Sequence, residues 1–201
     1  RFFSLLIVVC TVALSAQKNG IKAVICLPDG APISKVEATK SYGAEVCLVE
    51  GVYDDAYQKA LSLRDEKGYT FIHPFNDEDV IAGQGTIALE MLDEVSDLDY
   101  IVVPVGGGGL ISGVASCAKQ INPDIKIIGV SAKGAPAMFD SFKDKCQHNS
   151  KSVRTIADGI AVRDASQITL SHILECVDEM VQVDDEEIAN AILYLLEQQK
   201  I

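Results

Sequence analysis

The sequence predicts an α/β chain in which parallel sheets are covered by helices. Three observations carry this. Beyond residue 20, short segments rich in Val and Ile alternate with longer helix-like segments. The strand candidates read as continuous apolar runs, the pattern of strands buried on both faces. Glycine follows two of the helical segments at once, where a helix C-terminus is expected.

The chain opens on Arg1-Phe-Phe-Ser-Leu-Leu-Ile-Val-Val-Cys-Thr-Val-Ala-Leu-Ser-Ala16, which has one positive charge, an apolar run and then small residues. That order resembles a secretory signal, and it is short for a membrane-spanning helix. With no initiating Met, and an intracellular look to the remainder, the expectation is an altered start to a cytoplasmic chain. A signal processed near Ser15 or Ala16 is the alternative.

Strands are predicted over residues 23–27, 45–49, 69–72, 101–105, 126–130 and 179–183. Helices are predicted over 34–42, stopping at Gly43, and over 54–67, stopping at Gly68. A last helix opens on Asp184-Asp-Glu-Glu187, where Asp184 can cap and Glu187 can reach back to the cap. Its apolar positions Ile188, Ala189, Ile192, Leu195 and Leu196 form a helical stripe and read as a packing face.

Composition narrows the partners. The 201 residues are 48% hydrophobic and 23% charged, which is globular rather than disordered. A formal net charge of −12 argues against nucleic acid and anionic membranes, which need a basic face. It also means that an anionic ligand must be held by local dipoles. The six cysteines, Cys10, Cys26, Cys47, Cys117, Cys146 and Cys176, form no Cys-x-x-Cys. They read as buried free thiols in a reducing compartment, and no metal site is predicted.

Chemistry concentrates at Ile101-Val-Val-Pro-Val-Gly-Gly-Gly-Gly-Leu110. A strand that breaks into bare backbone at a helix start offers several N–H groups and the positive end of the helix dipole. Without a Cβ, backbone can come close to a phosphate. The dinucleotide pattern also wants an acidic residue about 20 residues on. Here the next strand ends in Ser131, Ala132 and Lys133, and no Gly-Lys-Ser/Thr follows the glycines. A phosphate cup is the favoured reading, with a tight structural turn and a dinucleotide site as alternatives.

Other segments stay open between two readings. His73-Pro-Phe-Asn-Asp77 is either a turn with a helix cap or part of a ligand crevice. The two glycines of Ile81-Ala-Gly-Gln-Gly-Thr86 point to close packing, expected as helix against sheet, or to ligand contact. Thr155-Ile-Ala-Asp-Gly159 is either a plain turn or a place where Gly159 passes a flat ligand. His148 and His172 read as surface residues.

Together, Pro32-Ile-Ser-Lys-Val-Glu-Ala-Thr-Lys-Ser-Tyr-Gly-Ala-Glu45, Phe71-Ile-His-Pro-Phe75, Ile81-Ala-Gly-Gln-Gly-Thr86, Val103-Pro-Val-Gly-Gly-Gly-Gly-Leu110 and Thr155-Ile-Ala-Asp-Gly159 resemble the pyridoxal-phosphate enzymes of fold type II. The branch is that of threonine (serine) ammonia-lyases and serine racemases. The resemblance implies a tryptophan synthase β-like fold, incomplete here, with a small domain over residues 1–75 and part of a larger one over 76–201. It implies that Gly106, Gly107, Gly108, Gly109 and Leu110 hold the cofactor phosphate and that Gly159 lies near its ring. The implied substrates are threonine and serine, and at full length the implied assembly is a homo-oligomer.

Members attach the cofactor to a lysine in Ser-x-Lys-x-Arg-Gly, and a Ser-x-Gly-Asn-His-Ala loop holds the substrate carboxylate. Neither string occurs here, and Lys35 and Lys40 lie in a different segment. No catalytic residue is therefore assigned. Members with a cation site place a Glu where Lys133 stands, so no metal is expected. The chain is expected to be a central fragment with little turnover alone. A non-catalytic phosphate- or pyridoxal-phosphate-binding module is the alternative of another class.

Overall fold

The computed structural model describes residues 6–51 and 53–199, so the first five residues of the signal-like stretch lie outside it. The chain separates into two compact units, Arg1–Ile72 and His73–Ile201.

The first unit runs α1 (Leu6–Lys18), β1 (Val24–Pro28), α2 (Ile33–Ser41), β2 (Glu45–Val49) and α3 (Tyr53–Lys67). Strands β1 and β2 pair in parallel, with Cys26 opposite Cys47. Burial, with Cys47 beside it, pushes the Cys26 thiol up to about 11. Helices α2 and α3 end before Gly43 (φ 76°) and Gly68 (φ 68°), whose N–H groups donate to Lys40 O and Arg64 O, each at 2.8 Å. The left-handed turn that stops each helix is thus where the glycines placed it.

The strand expected over 69–72 does not form. Tyr69 and Ile72 are exposed, and the segment finds side-chain contacts rather than a ladder. Lys67 lies over the Tyr69 ring, and Phe71 meets Tyr57 edge-on. A short apolar run without a neighbouring strand to take its N–H and C=O groups has no sheet to join.

The second unit runs α4 (Glu78–Glu94), β3 (Tyr100–Pro104), α5 (Gly109–Ile121), β4 (Lys126–Ala132), α6 (Ala137–Asp144), a 3-10 turn (Asp158–Ile160), α7 (Gln167–Cys176), β5 (Glu179–Val183) and α8 (Asp185–Gln199). Its sheet has the order β3-β4-β5, parallel throughout. Ile101 and Val103 from β3, Ile111 and Val114 from α5, Ile127 from β4 and Ile173 from α7 meet in one core. Each such side chain contributes about 1.5–3 kcal/mol by leaving water. The α/β class and the parallel pairing agree with the sequence.

Several details differ from it. Strand β3 alternates, with Tyr100, Val102 and Pro104 exposed and Ile101 and Val103 buried, so one of its faces is open among the described residues. The apolar stripe of α8 is largely uncovered among the described residues: Ile192 and Leu196 are exposed, as are the neighbouring Leu193 and Tyr194. Ala189 is exposed too, and Ile188 and Leu195 are half-buried. Of the two glycines of the 81–86 segment, Gly85 alone packs closely, against a helix rather than a sheet. Gly85 of α4 faces Gly113 of α5, and Gly83 faces open space. All six cysteines are free, yet none is fully buried, and Cys146 is exposed.

Candidate functional site

Strand β3 leads through Val105 into the four glycines, and α5 opens on the last of them. Val105 N–H still donates to Val130 O, at 2.8 Å, and Ser112 N–H makes the first helical bond, to Gly108 O at 3.0 Å. The N–H groups from Gly106 to Ile111 lie between, and none has a backbone acceptor among the described residues. Gly107, Gly108 and Gly109 are buried. Helix N-termini leave their first donors unpaired, and a buried unpaired donor is costly. A series of them at the positive end of α5 is the donor set that an oxyanion fits.

Ligand approach is not the nearest reason for the glycines. A Cβ on Gly107 would lie 2.6 Å from Cγ of Phe75, and one on Gly109 2.8 Å from Phe75 Cβ. On Gly106 it would meet Ile160 Cα at 2.9 Å, and on Gly108 Ile173 Cδ1 at 2.9 Å and Thr169 Oγ1 at 3.0 Å. Gly108 also sits at φ 89°, a conformation that L side chains disfavour. The protein closes around the loop from the 73–77 turn, the 3-10 turn and α7. The requirement inferred for a ligand is imposed first by the scaffold.

Each wall is held by its own bonds. Asp77 caps α4, accepting from Asp79 N–H at 3.0 Å and Val80 N–H at 3.2 Å. His73 Nδ1 accepts from Phe75 N–H at 3.2 Å and Asn76 N–H at 2.9 Å, which requires that nitrogen to be unprotonated. Burial lowers the His73 pKa, with Asp77 opposing. The segment is thus a turn with a helix cap, and it also sets Phe75 against the glycines.

Gly159 is buried in the 3-10 turn, next to the Ile160 that meets Gly106. The turn is tied to the start of α8, where Asp185 accepts from Thr155 Oγ1–H at 2.6 Å and from Ile156 N–H at 3.2 Å. Leu110 is half-buried in the first turn of α5. Thus Gly106 to Leu110 and the Gly159 turn come together in one unit. Thr169, which the sequence reading passed over, touches the loop most directly: its hydroxyl donates to Gly107 O at 2.8 Å.

The remaining expected residues stand apart. His172 is half-buried, with Nδ1 3.3 Å from Ser116 Oγ and Nε2 3.2 Å from Glu78 Oε2, tying α7 to α5 and α4. His148 pairs with Asp144 at 2.9 Å. Lys133 bonds Asp184 at 3.0 Å, which raises its pKa. Among the described residues no group of three or more His, Cys, Asp or Glu side chains could hold a metal, and no helix is long and apolar enough to cross a membrane.

Comparison with known proteins agrees with this geometry. The chain is 48% identical over 190 residues to an L-threonine ammonia-lyase of Thermotoga maritima, spanning 94% of this chain and 47% of that protein. Its fold matches maize serine racemase with a TM-score of 0.90 at 38% identity, covering 96% of this chain and 58% of that one. It matches the processed form of threonine deaminase isoform 2 from Solanum lycopersicum with a TM-score of 0.88 at 38% identity, covering 94% and 55%. The chain thus spans about half the length of these relatives. The pattern of the family described as pyridoxal-phosphate dependent enzymes matches residues 9–201. A match that runs across both units, with the unpaired donors at its glycine string, is more than a local likeness: the chain belongs to the pyridoxal-phosphate dependent enzyme family.

Proposed function

We propose that this chain carries the cofactor-phosphate cup of a pyridoxal-phosphate dependent L-threonine (L-serine) ammonia-lyase. The reaction is β-elimination, giving 2-oxobutanoate from threonine or pyruvate from serine, with ammonia. The kinship to L-threonine ammonia-lyases supports the reaction class. The observation that carries the site is the run of backbone N–H groups between the Val105 and Ser112 bonds, none with a backbone acceptor among the described residues. In this reading, the unit ending at Ile72 belongs to the family's small domain, and the unit from His73 is part of its large one.

When bound, pyridoxal phosphate supplies the electron sink that lets an amino acid lose its α-proton and then its β-hydroxyl. The chain's part is binding. The N–H groups of Gly106, Gly107, Gly108, Gly109 and Leu110 would hold the phosphate, and the α5 dipole would offset its charge. Local dipoles are needed because the chain as a whole repels anions, with a net charge of −12. Phe75 and Ile160 pack against the loop and hold its backbone in place. Gly159, buried in the 3-10 turn, would lie near the ring. No residue in this chain is assigned as the proton acceptor.

Equilibrium dialysis of the chain against pyridoxal phosphate and against pyridoxal tests the cup. The phosphate ester is expected to bind at least about tenfold more tightly, with inorganic phosphate competing, since hydrogen bonds to a charged group dominate the difference. Equal binding of the two aldehydes would overturn the assignment. The gene product from its native locus, given L-threonine, is expected to release 2-oxobutanoate. The kinship to maize serine racemase favours a second reading. Conversion of L-serine to D-serine without 2-oxo acid would establish it.

A further inference from the structure

We propose that Thr169 is a positioning residue that holds the Gly107–Gly108 peptide with its N–H directed to the anion; the proposal rests on the phosphate-cup reading above. Glycine runs change peptide orientation at little steric cost. A peptide plane in such a run has two orientations, one offering N–H to the anion and the other a carbonyl oxygen that repels it. Something outside the glycines has to choose.

Thr169 is placed to do so. It is fully buried on the first turn of α7, and its hydroxyl donates to Gly107 O at 2.8 Å, with a longer contact to Ser166 O at 3.3 Å. A trans peptide is planar, with C=O and N–H opposed, and no cis peptide is present among the described residues. Drawing Gly107 O toward α7 therefore turns Gly108 N–H away from α7. Among the described residues that N–H finds no backbone acceptor. The positive φ of Gly108 belongs to the same local geometry.

The contact is braced from the other side. Ser112, on α5, donates its hydroxyl to Thr169 O at 3.2 Å, so loop, α5 and α7 are tied through one residue. Ser166, just before α7, donates to Asn76 Oδ1, next to the Phe75 that backs Gly107 and Gly109. A buried hydroxyl aimed at the one carbonyl whose orientation sets the neighbouring donor does more than fill space.

The test compares Thr169→Val, which keeps the volume and loses the hydroxyl, with Thr169→Ser, which keeps the hydroxyl. The readout is the ratio of pyridoxal to pyridoxal-phosphate dissociation constants, measured by dialysis on chains checked for folding by circular dichroism. Thr169→Val is expected to reduce that ratio by roughly 10–100-fold, the value of a hydrogen bond to a charged group, with pyridoxal binding unchanged. Thr169→Ser is expected to keep most of it. A ratio in Thr169→Val equal to the parent's would overturn the positioning role and leave the cup intact. Equal loss of both aldehydes in Thr169→Val and Thr169→Ser would also overturn it, marking Thr169 as packing only. A parent chain that shows no phosphate preference would overturn the cup itself, and this proposal with it.

Discussion

Substituting Gly113 tests the close crossing of α4 with α5, the helix that opens at the glycine loop. A Cβ on Gly113 would stand 2.2 Å from Ile81 O, 2.7 Å from Gly85 N and 2.8 Å from Gln84 Cβ. Two of these are backbone atoms, so no rotamer change relieves them. Restoring an ordinary contact requires α4 and α5 to part by about 1 Å, which forfeits a quarter to a half of the dispersion energy along the crossing. Gly113→Ala is therefore expected to destabilise by about 3 kcal/mol or more, at the top of the range for overpacking. The same helix pair supplies controls. A Cβ on Gly85 would meet Gly113 O at 3.2 Å and Cys117 Cβ at 3.4 Å, which a small shift absorbs, so Gly85→Ala should change little. Gly83 faces open space, and Gly83→Ala should stabilise by about 1 kcal/mol through helix propensity. Urea unfolding followed by far-ultraviolet circular dichroism, with unchanged m-values, checks all three. A Gly113→Ala chain within about 0.5 kcal/mol of the parent, the ordinary range of surface changes, would refute the crossing geometry.

Other predictions concern charge and caps. Burial alone would raise the Asp178 pKa, but Ile127 N–H at 2.9 Å, Lys119 at 2.7 Å and Lys126 at 2.9 Å hold it well below the usual carboxylate range. The unfolded chain then binds more protons in acid, so this stability is present above about pH 4 and is lost as pH falls through the folded value. After allowance for solvent screening, Asp178→Asn should destabilise by about 1 kcal/mol at neutral pH, and denaturation midpoints at pH 7 and pH 3 should show the gap closing in acid. His73 is held neutral by burial, so its contribution is present above about pH 6.5 and fades below it; a parent midpoint that falls between pH 7.5 and pH 5.5, against a flatter His73→Asn, checks the sign. Asp184 Oδ1 accepts from Glu187 N–H at 3.0 Å, and Glu187 Oε2 accepts from Asp184 N–H at 2.8 Å. Asp184→Ala should therefore speed amide hydrogen exchange in the first turn of α8 while leaving exchange in α5 unchanged.

The parts of the fold legible in the sequence were those fixed by local chemistry. The capping pair Asp184 and Glu187 closes both of its bonds, and Gly43 and Gly68 stop the helices they follow. These depend on a few neighbouring residues, so a string of letters suffices. What was misread depends on distant neighbours. The 69–72 run has the composition of a strand, but pairing is a property of two segments, and among the described residues no strand pairs with it. The α8 stripe announces amphipathicity and not whether anything covers it; Ile192 and Leu196 are exposed in this chain. Val102 shows the same limit, since the layers packed on a sheet decide how many of its faces are buried. Thr169 left no signal at all. A threonine in the first turn of a helix is ordinary, and its meaning comes from a carbonyl 62 positions earlier in the chain.

The site itself divides along the same line. Four glycines can be read at sight, yet four glycines do not make an anion site. An unsupported glycine run loses the most backbone entropy on ordering and would present its N–H groups in no fixed direction. Here each glycine meets a wall: Gly106 the 3-10 turn, Gly107 and Gly109 Phe75, Gly108 the Thr169 and Ile173 side chains of α7. The walls permit only residues without a Cβ, and in return they fix the backbone that those residues leave bare. Preorganised donors bind an anion well because little reorganisation remains to oppose binding. The glycines are thus necessary and the walls supply direction, so a chain that kept Gly106 to Gly109 but lost the Thr169 hydroxyl would keep the motif and lose much of the site.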